Sequence, residues 1–189
     1  MSSTLKVDIL QDSGGNNIIT SNGSGTFTSS LPNTGITMAD QWRLTSNTNS
    51  GTNADVTANW ERNDNASYGS IGTGLTESSG VFTFPQTGIY FIYFVARILN
   101  AASDTSAVFQ LFTTVDNSSY IESAIANAGN ASSSTSSVQS GSNTFVFDVT
   151  NTTTHKFKFA TNSFGSGTVL TGDTSYQRTG FTVIRLGDT

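Results

Sequence analysis

The chain has 189 residues, 11% of them charged, a net charge of −5, no cysteine and a single histidine. Its eight Lys and Arg are scattered and form no basic stripe for phosphates, which excludes nucleic acid as a partner. The absence of cysteine excludes a disulfide framework, a thiolate nucleophile and a cysteine zinc site. Ser, Thr, Asn and Gly take the place of charge beside 13 Phe and only 2 Pro, a mixture that favours short strands and turns over helices.

The N-terminal segment reads as a small β arm. Leu5, Val7 and Ile9 alternate with Lys6 and Asp8, as one strand would. Residues 13–17 read as a turn, 18–20 as a second strand and 21–25 as another turn. A hairpin this small cannot stand alone. Leu5, Val7, Ile9, Ile18 and Ile19 are therefore expected to pack on the domain or on another protein; the alternative is a frayed terminus. Residues 1–10 hold no apolar leader, so the expectation is synthesis in a cytoplasm without an export signal. No polybasic or amphipathic stretch suits a membrane surface, and the longest apolar run, 89–95, is too short to span one.

With the arm set at 1–34, residues 35–189 are expected to form one domain. Strands are predicted at 41–45, holding Trp42 and Leu44, and at 56–62 around Trp60. Residues 69–75 are Gly-rich with little to bury. A strand at 81–84 stops at Pro85, and a turn follows at 86–88. The segment 88–99, GIYFIYFVARIL, carries the most information. In a strand Ile89, Phe91, Tyr93 and Val95 face one way, and Tyr90, Ile92, Phe94 and Ala96 the other. Both faces are apolar, whereas a sandwich strand ordinarily has one wet face. One face belongs against the opposite sheet, the other against something outside the domain, and a second copy of the chain is the simplest occupant.

Further on, 107–115 reads as a strand and 116–119 as a turn. Residues 120–128 fit strand or helix, and the Ser-rich 129–142 reads as a surface loop. Residues 144–149 alternate with Phe145, Phe147 and Val149 on one face. Residues 155–161 follow, with Phe157 and Phe159 inward and Lys156 and Lys158 outward. Short strands at 168–171 and 176–186 close the domain. About ten strands separated by turns predict an all-β sandwich or jelly roll.

Two of these segments carry a resemblance. VFTFPQTGIYFIYF at 81–94 and GFTVIRLG at 180–187 resemble the signature of C1q/TNF-like domains. That signature has a strand, a Pro, a Gly-aliphatic-Tyr turn into a long aromatic strand, and a closing strand that ends near a Gly. The resemblance implies a ten-strand jelly roll that assembles as a homotrimer, with one sheet of each protomer lining the axis. The stretches at 5–10 and 22–26 resemble the short leader of structural proteins from marine and cyanobacterial phages. Together these imply a non-enzymatic protein on a virion surface, held by its arm as a capsid decoration or head fibre. The alternative is a tail-associated adhesin for host cell-surface glycan; a carbohydrate-active enzyme is a third reading.

Site candidates are few. A lone histidine, His155, supports neither a catalytic triad nor a zinc site and reads as the first residue of a strand. The acids are dispersed and mark no glycosidase pair. Calcium could be held through Asp104 with Asp116 and Asn117, or through Asp55 with Asp64, but no defined spacing marks a site and solvated loop acids are the simpler reading. The glycines match no nucleotide-binding pattern. Asn22, Asn65, Asn117, Asn130 and Asn151 sit in N-x-[ST] sequons that are expected to be unmodified. Tyr68, Tyr120 and Tyr176 are candidates for exposed rings that stack on sugar, or for rim packing.

Overall fold

The computed structural model describes residues 7–29, 35–102, 104–132 and 134–189. Two units are distinguished, Met1–Gly35 and Ile36–Thr189.

The first unit is a three-stranded antiparallel meander of β1 (Ile9–Gln11), β2 (Asn17–Ser21) and β3 (Phe27–Ser29). Its turns are set by side chains that imitate backbone. The Asp12 carboxylate accepts from the backbone N–H of Gly14 and Asn16 at 2.8 and 2.9 Å. Asn22 does the same for Ser24 and Thr26. The expectation had two strands. The third, at residues 27–29, pairs with Ile19–Ser21 and is too short to show a period. Of the expected first strand, Leu5 lies outside the described residues, and pairing begins at Ile9.

The second unit is a sandwich of antiparallel sheets, with no helix among the described residues. In chain order its strands are β4 (Ala39–Leu44), β5 (Trp60–Arg62), β6 (Thr76–Ser78), β7 (Val81–Thr83), β8 (Gly88–Asn100) and β9 (Ala107–Thr114). They continue as β10 (Ile121–Ala128), β11 (Ser137–Val149), β12 (Lys156–Asn162), β13 (Val169–Leu170) and β14 (Gly180–Gly187). One sheet runs β10-β9-β12-β7-β6. The other runs β11-β8-β14-β4-β5, with β13 also paired to β8. The domain thus has one strand more than the expected ten. The addition is β6, whose side chains contribute little to the core.

Three further differences have physical causes. Residues 120–128 are a strand, because their backbone pairs with β9 from Ile121 to Ala128. Residues 137–142, expected in a loop, extend β11, which pairs with β8 along all of Gly88–Asn100. Ser and Gln suffice there because most of that stretch faces solvent. Where β11 turns inward, Gly141 stands opposite Ala96, and a Cβ on it would lie 2.5 Å from the Asn127 carbonyl. The edge strands β10 and β11 of the two sheets close on each other at this point, and Asn143 Nδ2 donates to Ile125 O at 2.8 Å.

The core between the sheets is aromatic. Phe82 stacks on Phe157 at 5.0 Å and Phe109 on Phe159 at 4.9 Å. Trp42, Trp60, Phe94 and Phe181 fill in edge-on or tilted. Each buried ring contributes about 1.5–3 kcal/mol from area alone, and the offset contacts add to that. His155, buried just ahead of β12, stacks on Phe147 at 5.8 Å and bonds the hydroxyls of Thr150 and Thr154.

Candidate functional site

Strand β8 alternates strictly. Tyr90, Ile92, Phe94, Ala96 and Ile98 are buried between the sheets. The Tyr90 hydroxyl donates to Gln86 O at 2.8 Å, and burial pushes its pKa up. Ile89, Phe91, Tyr93 and Val95 point out of the sandwich and are partly exposed, Tyr93 to 40%. Of the six residues expected to line an interface or core, three therefore belong to the core and three to the outer face.

The ladders place those outward residues in rows across the sheet. One row is Val146–Phe91–Ile184–Ala39, the next Thr144–Tyr93–Thr182–Gln41, and the next Ser142–Val95–Gly180–Arg43. Val146 is 55% exposed and Val138, opposite Leu99, 44%. The face is apolar at Ile89, Phe91, Tyr93 and Val95 of β8, at Val146 of β11 and at Ile184 of β14, and it is polar at Ser142 and Thr144 of β11 and over β4 and β5. Scattered apolar residues on a surface mean little, whereas Val146, Phe91 and Ile184 lie side by side.

At the polar end lies a cleft of about 340 Å³, lined by Gln41, Arg43, Asn63, Asn65, Ser67, Tyr68, Gly69, Tyr176 and Gln177. Arg43 is fully buried. Its Nε and Nη2 donate to Glu61 Oε2 at 3.1 and 2.9 Å, its Nη1 donates to Asn63 Oδ1 at 3.2 Å, and Nη2 also pairs with Asp64. Gln41 donates to Thr182 Oγ1 at 3.0 Å and accepts from Asn63. The Tyr68 hydroxyl donates to Asp40 at 2.9 Å and accepts from the Gln41 N–H at 3.1 Å; burial raises its pKa. The Tyr176 hydroxyl accepts from Arg178 Nη2 at 2.8 Å, with that guanidinium 5.2 Å from the ring centre. Arg178 also pairs with Asp173 at 3.0 Å.

Two of the three candidate tyrosines therefore share one cleft. Tyr120 does not: it lies by the other sheet, with Lys158 Nζ 4.6 Å over its ring and Asp55 paired to that lysine at 2.6 Å. The calcium sets come apart as well. Asp104 and Asp116 sit beyond opposite ends of β9, an eight-residue strand that spans roughly 25 Å. Asp104 accepts from Gly165 N–H and Thr168. Asp116 caps its own turn through Ser118, Ser119 and Thr114, and those bonds hold its carboxyl far below the usual range. Asp55 bridges to β12, whereas Asp64 pairs with Arg43 outside the other sheet. No group of three or more metal-ligating side chains occurs among the described residues.

Asp40, one of the dispersed acids, is the best-bonded carboxylate near the cleft. It is 1% exposed and accepts from Trp42 Nε1, Leu75 N–H, Arg62 Nε, Tyr68 OH and Gln41 N–H. The sequence carries the signal of this burial: Asp40, Trp42 and Leu44 share one face at period two, so a strand that buries Trp42 buries Asp40 with it.

In the arm, Val7, Ile9, Leu10 and Phe27 are exposed, Phe27 to 67%, and Ile18 and Ile19 are half-buried. Val7, Leu10 and Ile19 line a shallow apolar hollow.

No family model and no curated sequence matches the chain. Solved structures do match. The Eiger TNF of S. frugiperda superposes with a TM-score of 0.61 at 13% identity, over 82% of this chain and 96% of that one. Murine APRIL at pH 5.0 gives 0.56 at 13% identity, over 79% and 98%. The fold is the TNF-like jelly roll. At this identity the likeness carries the architecture and no ligand.

Proposed function

We propose that this chain is a non-enzymatic structural module that assembles as a homotrimer through the outer face of the β11-β8-β14-β4-β5 sheet. In this reading the segment 1–34 holds it on a phage virion as a capsid decoration or head-fibre protein. The observation that carries the assembly is the cross-strand row Val146–Phe91–Ile184, apolar on the side of the sheet that faces away from the core. Burying several half-exposed rings and aliphatic chains at about 1.5–3 kcal/mol each suffices for a stable oligomer. The resemblance to C1q/TNF-like domains supplies the three-fold arrangement. Strand addition or packing by the arm's exposed apolar residues supplies attachment, and three arms held at once add avidity.

The test is mass in solution. Light scattering is expected to give about 60 kDa, three times the 19.9 kDa chain, and Phe91→Glu to give folded monomer. A monomeric parent protein would overturn the assembly. Gold-labelled antibody on purified particles tests location: label over the head supports decoration, and no label on any particle sinks the virion reading.

A second reading, a tail-associated adhesin for cell-surface glycan, is favoured by the polar cleft beside Tyr68 and Tyr176. Label on the tail would support it. Hydrolysis of that glycan is disfavoured, because the residues lining the cleft include no carboxylate and Glu61 and Asp64 are both engaged by the Arg43 guanidinium.

A further inference from the structure

We infer that the cleft between the 63–69 loop and the 173–178 loop is a binding site for a single neutral pyranose ring. This rests on the adhesin reading and deepens it by naming the site and the class of sugar.

Three features of the cleft point this way. Its volume, about 340 Å³, lies at the small end of ligand pockets, which run to roughly 1,000 Å³, and so suits one ring rather than a long chain. Its lining combines two aromatic rings with four carboxamides, those of Gln41, Asn63, Asn65 and Gln177. A sugar presents that mixture in reverse: an apolar C–H face for an aromatic ring, and vicinal hydroxyls for groups that donate and accept side by side. Asn65 commits its Oδ1 to the N–H and hydroxyl of Ser67, so its amide hydrogens remain to donate. Gln177 adds a carboxamide that lies over Gly180, where any Cβ would meet Gln177 Nε2 at 2.7 Å.

The third feature is preorganisation. Both tyrosine hydroxyls are tethered, Tyr68 to Asp40 and Tyr176 to Arg178. Arg43 beneath them is fixed by Glu61, Asp64 and Asn63. Rings already held in place lose little freedom when a ligand stacks on them. The same network sets the charge of the ligand. Glu61, Asp64 and Asp173 outnumber Arg43 and Arg178. Among the described residues that line or border the cleft, both guanidinium groups are paired, so an acidic sugar gains nothing here.

Saturation-transfer NMR on the full chain tests the inference. The probes are methyl α-glucoside, methyl α-galactoside, methyl α-mannoside, methyl α-fucoside, N-acetylglucosamine and the acidic N-acetylneuraminic acid. Transfer is expected to the ring protons of at least one neutral probe and not to the acid. Affinity should fall about three- to tenfold in Tyr176→Ala, a substitution at an exposed position that the fold tolerates. Tyr120→Ala, beside the other sheet, should leave binding unchanged. Binding that survives Tyr176→Ala intact would overturn this site and leave the glycan reading standing on another surface. Transfer to none of the probes would remove both, and preference for the acid would overturn the charge argument.

Discussion

Asp40 is the residue on which the edge of the β4-β5 ladder turns, and its replacement by alanine gives the sharpest test of the packing. Its Oδ2 accepts from Trp42 Nε1 at 3.0 Å and from the Leu75 N–H at 2.8 Å, both buried. Its Oδ1 accepts from Arg62 Nε and Tyr68 OH, each at 2.9 Å. Arg62 and Tyr68 are partly exposed and can turn to water once the carboxylate is gone. Trp42 and Leu75 cannot. Each orphaned buried donor costs about 1–3 kcal/mol, so Asp40→Ala should lower stability by about 3–5 kcal/mol, a large part of the roughly 5–15 kcal/mol that holds a domain together. Asp40→Asn should fall between parent and alanine variant, because an amide oxygen serves one donor set while its NH₂ opposes the other. Arg62→Ala should cost less than Asp40→Ala, since it leaves the carboxylate its neutral donors. The assay is urea denaturation followed by tryptophan fluorescence at fixed protein concentration. A loss below about 1 kcal/mol for Asp40→Ala would refute the reasoning. Gly74→Ala approaches the same node from outside, since its Cβ would meet Asp40 Oδ2 at 2.4 Å, and should destabilise in the same direction.

Other expectations follow from the same geometry. Phe159 touches the rings of Trp60, Phe82, Phe94, Phe109, Phe157 and Phe181, so Phe159→Ala should cost about 3–5 kcal/mol by the same urea titration. Gly88, at φ 146°, would place a Cβ 2.4 Å from Arg185 Nε and 2.5 Å from Gly187 O; Gly88→Ala should lower the melting temperature through about 1–3 kcal/mol of strain. Asp116 and Asp173 have carboxyl pKa values lowered by backbone N–H donors in their turns. A lowered folded pKa stabilises above the unfolded value and is lost as pH falls. Stability should therefore hold from pH 7 to about pH 5 and decline below about pH 4, with a shallower decline in Asp116→Asn. Urea midpoints across that range read it directly, and an identical slope in the variant would count against the turn.

Much of the sandwich is legible in the sequence because its strands alternate with large residues. Residues 145–149 turn Phe145, Phe147 and Val149 inward, 157–159 bury Phe157 and Phe159, and 81–94 carries the turn and aromatic strand of the fold. What escapes are strands stabilised by the ladder alone. Residues 27–29 are too few to show a period, 76–78 and 137–143 carry mostly short or polar side chains, and pairing with a neighbour's backbone makes them strands. Ala-rich 121–128 has the same problem on an edge. The buried charges Asp40 and Arg43 escape for a different reason: a carboxylate with five donors and a guanidinium with three acceptor side chains are satisfied by residues up to 35 positions away, and no local pattern reports that.

The site was legible in part, and the register explains which part. The two apolar faces of 89–96 fall out of period-two alternation, so the outer stripe could be read before any neighbour was known. The cleft could not, because it joins β4, the 63–69 loop and the 173–178 loop, which meet only through the β14-β4 and β4-β5 ladders. Those ladders also tie the two features together. The row that holds Tyr93 and Thr182 ends at Gln41, which hydrogen-bonds Thr182 and lines the cleft. The apolar face proposed for assembly and the polar cleft at its rim are thus two ends of one set of strands. Disrupting the first with Phe91→Glu and the second with Tyr176→Ala should produce separable losses, of oligomeric mass in one and of sugar binding in the other. If the Phe91→Glu monomer also lost sugar binding, the cleft would need the neighbouring copy to complete it.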